Sequence, residues 1–278
     1  MSRELKLRTI SAIVLAILAI FSTWMGGKVF ACVVIVAGFL IYYEWSTITA
    51  LRSKSIRANG VAWLTLVLSF SFLLFDLPIY AFVVLLGGAA VAMIFGARQG
   101  VSAVSVAGIF YAGFPVIALT ELRGDGLFGL FAVIFVLSIV WATDIFAYFC
   151  GKAIGGRKLA PAISPGKTWS GAIFGLAAGV GVGLISVMML RYGGGIFVPI
   201  VAAAISISGQ IGDLFESWIK RRYGVKDSSQ LIPGHGGFMD RLDGVIFAAI
   251  IAFVIATLNQ YYSGIDSSSI LAVHLLDL

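Results

Sequence analysis

The chain has 278 residues, of which 60% are hydrophobic and 12% charged, with a formal net charge of +6. Its mean hydropathy is +1.04. Soluble domains carry about 25% charged residues, so this composition excludes a water-soluble fold and points to a polytopic membrane protein. Continuous apolar runs of ~20 residues cross a bilayer as helices, whereas a β-barrel shows short alternating segments. The runs here are continuous. The expected fold class is all-α: a polytopic transmembrane helical bundle.

Nine spans are expected, at roughly 7–25, 28–48, 61–76, 78–96, 101–120, 127–150, 169–190, 196–218 and 242–262. The first is read as a retained helix, because it is long and shows no A-x-A-like cleavage site. Glu44 ends the second span between Tyr43 and Trp45. It is read as an interfacial acid in an aromatic belt, against the alternative that intramembrane acids are functional. Only Asp76-Leu77-Pro78 separates the third and fourth spans, and Gly124-Asp125-Gly126 is a turn before the sixth. Gly193-Gly194-Gly195 reads as a flexible link, Ser263 to Ser269 as a polar loop, and Ile270 to Leu278 as a short interfacial helix with His274 on its surface. Cys32 and Cys150 lie in or beside apolar spans without C-x-x-C spacing, so neither a disulfide nor a thiol-ligated metal is expected.

The halves differ in character. Residues 1–125 read as an N-terminal transmembrane scaffold, and 126–278 as a C-terminal catalytic region with two long loops, 151–168 and 219–241. The N-terminus is expected in the cytoplasm and the C-terminus outside: every lysine and arginine except Lys28, Arg123 and Arg191 then falls on the cytoplasmic side, as the positive-inside rule asks. That bias accounts for the net charge without a nucleic-acid partner. It also suits anionic lipid headgroups, which attract surface Lys and Arg by about 1 kcal/mol each.

The acids of the second half converge on that side. Asp144 sits in span six, Asp213 and Glu216 in span eight, and Asp240 and Asp243 at the start of span nine. Asp213 and Glu216 share a helix face, continued by Lys220 four residues on. Asp240 and Asp243 repeat the i,i+3 spacing. Carboxylates with no nearby Cys favour a hard ion such as Mg²⁺. The alternative for Asp240 and Asp243 is stabilisation of a helix N-terminus. Lys220, Arg221, Arg222 and Lys226 flank the acids and suit phosphate neutralisation, and Pro233-Gly234-His235-Gly236-Gly237 is a pliable backbone able to approach an anion. In the other loop, Gly155-Gly156-Arg157-Lys158 is a basic turn, and Ser164-Pro165-Gly166-Lys167-Thr168 opens span seven. That run is not a P-loop, because Pro161 stands where the first glycine belongs. Its Lys-Thr at a helix N-terminus still suits a phosphate.

Ser217, Lys220-Arg221, Lys226-Asp227, Pro233, His235-Gly236-Gly237, Asp240-Arg241 and Asp243 together resemble the signature of the phosphatidate cytidylyltransferases (CDP-diacylglycerol synthases). Asp144, Ser164-Pro165 and Lys167-Thr168-Trp169 resemble a second block of the same family. One departure is visible: Ser170 stands where the family commonly has Glu. The resemblance implies transfer of the cytidylyl group of CTP to phosphatidate, with Mg²⁺ and a K⁺ ion able to share its site. It implies Asp213 and Asp240 as metal ligands, and it suggests a homodimer. Asp144 and Asp243 would complete or orient the metal shell. Lys167, Lys220, Arg221 and Lys226 would clamp phosphates, and Ser164, Thr168, Ser217 and Asp227 would contact substrate. Arg241 belongs to the catalytic set, and His235 with Gly236 and Gly237 would shape the loop over the nucleotide. The expected location is the inner membrane with the site on the cytoplasmic side. The rival readings are an ion-coupled transporter and a related enzyme with another lipid acceptor.

Overall fold

The computed structural model describes residues 3–189, 197–234, 236–263 and 275. In chain order its elements are α1 (Arg3–Met25), α2 (Gly27–Ile48), α3 (Leu51–Lys54), α4 (Ile56–Leu74), α5 (Pro78–Ala97) and α6 (Ser102–Arg123). There follow α7 (Leu127–Ile154), β1 (Lys158–Ala160), β2 (Ser164–Thr168), α8 (Trp169–Met189), α9 (Val198–Arg222) and α10 (Met239–Ser263). The bundle is helical, as expected, with one two-stranded antiparallel hairpin added. Among the described residues eight helices are long and apolar enough to cross a membrane. The apolar part of α1, Thr9–Met25, is shorter than these. The expected Gly193–Gly195 link, Ser263–Ser269 loop, C-terminal helix and His274 fall on or run into residues outside the described ones.

Helix ends differ from the expected spans where the sequence turns polar. Hydropathy marks only the lipid-embedded part of a helix, whereas backbone hydrogen bonding carries it further. Thus α7 runs on to Ile154 and α9 to Arg222. The last turn of α9 holds Lys220, Arg221 and Arg222, whose positive charge offsets the negative end of the helix dipole. The α4–α5 turn lies where expected. Asp76 takes a left-handed φ of 59° there, which Asp tolerates better than most residues. Pro78 follows at the first helical position, where a missing N–H costs nothing.

The chain forms two compact units. The first comprises Met1–Thr120 with Tyr223–Arg241, the second Glu121–Arg222 with Leu242–Leu278. The 223–241 segment, expected within the catalytic region, therefore clusters with the N-terminal helices. In the first unit Tyr42, Trp45 and Phe70 are buried. Tyr42 donates to Asn59 Oδ1 at 3.2 Å, and Trp45 Nε1 to the Val104 carbonyl at 3.1 Å.

The second unit is set by glycines. Gly171, Gly175, Gly179 and Gly183 recur every fourth residue on α8 and are buried. In lipid no hydrophobic drive pushes helices together, so small residues that admit close backbone contact decide packing. A Cβ on Gly171 would stand 2.6 Å from the Ala147 carbonyl oxygen of α7, and one on Gly175 2.7 Å from that of Thr143. Farther along, a Cβ on Gly183 would stand 2.8 Å from the Ala202 Cβ of α9. Between α7 and α9, Thr143 Oγ1 and Ser206 Oγ share a buried hydrogen bond of 2.7 Å, which fixes the rotation of α7 beside Asp144. Below it Val136, Ile139 and Val140 pack with Ile205, Val245 and Ala248.

Gly175→Ala should cost roughly 1–3 kcal/mol by overpacking against a carbonyl that cannot retreat. Gly181→Ala on the same helix, where a Cβ meets nothing within 4 Å, should cost nothing. Melting of both variants in detergent checks this pair.

Candidate active site

At one end of the second unit a cavity of about 610 Å³ opens among the last turns of α7, the hairpin, the start of α8 and the later part of α9. Asp144, Tyr148, Gly151 and Lys152 line it from α7. They sit at i, i+4, i+7 and i+8, one helix face. Lys158 of β1 and Ser164, Lys167 and Thr168 of β2 line it from the hairpin, and Gln210 and Asp213, three apart, line it from α9. Asp144, Ser164, Lys167, Thr168 and Asp213, all candidate site residues from the sequence, thus line one cavity. Lys158 stands in the expected basic turn, whereas Lys152 and Gln210 line the cavity without having been singled out. Helix arithmetic from Asp144 and from Asp213 would have found Lys152 and Gln210.

The hairpin is held by side chains on three sides. Gly155 and Gly156 leave α7 with φ of 66° and 99°, a left-handed turn that glycine takes without steric cost. Lys158 pairs with Thr168 and Ala160 with Ser164. Thr168 is buried and caps α8: its Oγ1 accepts from Gly171 N at 3.1 Å, the usual Ncap-to-N3 bond. Ser170 donates to the Gly155 carbonyl at 2.5 Å and shares a 3.0 Å bond with Thr168. The serine that departs from the family pattern therefore ties the end of α7 to the start of α8. From α9, Arg221 Nε donates to the Ile163 carbonyl in the hairpin turn at 3.4 Å. This arginine, expected as a phosphate clamp, also tethers the hairpin.

The charges are paired across elements. Lys167 forms an ion pair with Asp213, both partly buried, and Ser217 Oγ reaches Asp213 Oδ1 at 3.5 Å. Asp144 feels Lys167 and the two acids Asp213 and Asp243. Behind the cavity, Glu216 is buried with Lys220 at 3.4 Å. Asp243 lies beside Glu216 and accepts from Gly244 N at 2.8 Å. Ser217, Lys220, Arg221 and Asp243 belong to the same unit and are not among the lining residues.

Among the described residues no group of three or more His, Cys, Asp or Glu stands close enough to hold a metal unaided. Mg²⁺ does not require one: it commonly takes one or two carboxylates and completes its octahedron with water and substrate phosphate. Asp144 and Asp213, two carboxylates on one cavity beside several lysines, fit that donor set.

The remaining signature residues belong to the first unit. Lys226, Asp227 and Arg241 are exposed. His235 falls outside the described residues. Ile232 N donates to the Gly236 carbonyl at 2.9 Å. Asp240 Oδ2 accepts from Ser228 N and from Gly237 N, each at 2.9 Å, and lies 3.0 Å from Ser228 Oγ, whose single proton it shares with Glu44. Glu44, expected at the interface, is instead fully buried. It accepts from the hydroxyls of Ser228 and Ser229 and from the backbone of Phe238 and Met239. Nothing near Glu44 in sequence announces this.

A cavity that joins lysines to carboxylates suits a charged phosphate ligand, and comparison with known proteins names the class. Residues 6–259 match the model of the cytidylyltransferase family. The chain belongs to the cytidylyltransferase family. It is 43% identical over 252 residues to the phosphatidate cytidylyltransferase of Brucella abortus biovar 1 (strain 9-941), covering 90% of this chain and 93% of that one. To the phosphatidate cytidylyltransferase of Bacillus subtilis (strain 168) it is 29% identical over 264 residues, 88% of this chain and 94% of that one. That of Rickettsia bellii (strain RML369-C) is 47% identical over 124 residues, 42% of this chain and 54% of the relative. The resemblance in the sequence motifs is borne out, and membership of the cytidylyltransferase family disfavours the transporter reading.

Thr168→Val removes the α8 cap and the tie to Ser170. It should lower stability in detergent by roughly 1 kcal/mol. An unchanged melting temperature would contradict the capping role.

Proposed function

We propose that the protein transfers the cytidylyl group of CTP to the phosphate of phosphatidate, forming CDP-diacylglycerol and releasing pyrophosphate. The observation that carries this reading is the meeting of Lys152, Lys158 and Lys167 with Asp144 and Asp213 around one cavity at the end of a membrane bundle. Three lysines suit a polyphosphate, and two carboxylates suit the cation that accompanies it.

The chemistry asks for alignment more than for a base. A phosphate monoester has its second pKa near ~6, so it is largely dianionic at neutral pH. Its oxygen attacks the α-phosphorus of CTP, a new P–O bond forms, and the bond to the β-phosphate breaks with pyrophosphate leaving. The barrier lies in bringing two polyanions together. Lys152, Lys158 and Lys167 supply positive charge for this, and the Lys167–Asp213 pair holds one ammonium in place. Mg²⁺, held by Asp213 and Asp144 with Asp243 in support, would neutralise phosphate charge when bound. The tethers from Ser170, Thr168 and Arg221 keep the hairpin lysines from drifting, which matters because misplacement of a reacting group by about 1 Å can cost around 10²-fold. Phosphatidate brings its headgroup to the membrane surface and CTP arrives from the cytosol, so the cavity faces the cytoplasm in this reading. The positive-inside distribution of Lys and Arg supports that orientation.

Purified protein given CTP, phosphatidate and Mg²⁺ should yield CDP-diacylglycerol and pyrophosphate, and chelation with EDTA should stop the reaction until Mg²⁺ is restored. Asp213→Asn and Asp144→Asn should each lower turnover by about 10²-fold or more, in the range seen when electrostatic groups are removed from active sites. Near-normal turnover in both would contradict the assignment.

A further inference from the structure

The proposed reaction leaves Glu44 without a role, although its place is costly. A carboxylate removed from water is tolerated only where donors replace its hydration. Glu44, near the end of α2, has four such donors. Ser228 Oγ donates to Oε2 at 2.9 Å and Ser229 Oγ to Oε1. The backbone N–H of Phe238 donates to Oε1 at 2.7 Å, and that of Met239 to Oε2 at 2.6 Å. Each carboxylate oxygen therefore takes one hydroxyl and one amide.

The donors come from two arms of one loop. Ser228 and Ser229 directly follow Lys226-Asp227, and Phe238 and Met239 directly precede Asp240-Arg241. The second pair also opens α10, where unpaired N–H groups concentrate positive charge. The arms leave no slack. A Cβ on Gly237 would stand 2.8 Å from Ser229 N and 2.9 Å from Glu44 Oε1. Asp240 Oδ2 ties the same two arms from within the loop, through Ser228 and Gly237. A shift of the four donors would therefore move Lys226, Asp227, Asp240 and Arg241, each within two residues of a donor.

We infer that Glu44 is a positioning residue for the transfer reaction: its carboxylate holds both arms of the signature loop and so fixes Lys226, Asp227, Asp240 and Arg241 relative to one another. This rests on the cytidylyl-transfer reading. Glu44→Gln preserves size but leaves one acceptor oxygen and turns an NH₂ group toward donors.

The test uses the full-length protein in detergent with CTP, Mg²⁺ and phosphatidate. Glu44→Gln should raise KM for CTP by about tenfold or more and leave KM for phosphatidate within about threefold, since charge-assisted bonds are the stronger ones. The double variant Ser228→Ala with Ser229→Ala should move KM for CTP the same way by a smaller factor. Glu44→Asp, still charged, should recover part of the loss. If Glu44→Gln does not fold, the double serine variant decides, and an unchanged KM for CTP there overturns the inference. The inference is equally overturned if Glu44→Gln keeps its KM for CTP and loses only active fraction. The unmodified protein separates the two readings: no CDP-diacylglycerol from it overturns the functional reading and this inference together, whereas normal product with an indifferent Glu44→Gln overturns this inference alone.

Discussion

The close approach of α7 and α8 is the constraint from which the catalytic end of the second unit follows. It depends on hydrogen atoms standing where side chains would be, at Gly171, Gly175, Gly179 and Gly183. The backbone of α8 comes so near the carbonyls of Ala147 and Thr143 that a single methyl group would strike them. With the helices this close, the chain between Ile154 and Trp169 has a short gap to bridge, and it bridges it with a hairpin pinned to both. Asp144 on one helix and Lys167 just before the other then line one cavity without a long side chain having to search for its partner. The α9–α10 contact uses the same device, since a Cβ on Gly212 would run into the Asp243 carbonyl.

Charge placement follows from the cost of ions near lipid. An ionisable group at a helix centre costs about 2.5–3.5 kcal/mol on insertion scales, so each must be paired, hydrogen-bonded or turned to water. Three solutions occur here. Lys167 with Asp213 and Lys220 with Glu216 are ion pairs. Glu44 and Asp240 are satisfied by hydroxyls and amides. Asp144 with Lys152 and Lys158 opens onto the cavity. The third group lines the cavity, where the proposed reading puts the nucleotide. Lys220 and Asp240 are charged residues of the same signature, and their bonds serve the architecture as well.

Much of the fold was legible because a bilayer imposes one length scale. Apolar runs located the long helices to within a few residues, and the errors fell at ends such as Arg222 and Ile154, where helices continue into polar sequence. The family was legible from its motifs. The hairpin was not: Ser164-Pro165-Gly166-Lys167-Thr168 has none of the β-branched alternation that marks strands, and it is extended because its two ends are held by neighbouring helices. The grouping of 223–241 with the N-terminal helices was hidden for a similar reason. It turns on Glu44 bonding Ser228 across 184 residues, and no local pattern encodes such a pairing. The four-residue glycine spacing on α8 stood in the sequence throughout, but its meaning depends on the surface of α7.

The central claim is that the triphosphate of CTP lies in the cavity lined by α7, the hairpin and α9. A photoreactive CTP analogue with its reactive group on the γ-phosphate tests this most directly, by mass-spectrometric mapping of the labelled peptides with unlabelled CTP as competitor. The label should fall within residues 144–172 and around Gln210 to Asp213, and CTP should abolish it. Competed labelling confined to segments outside that cavity would contradict the account.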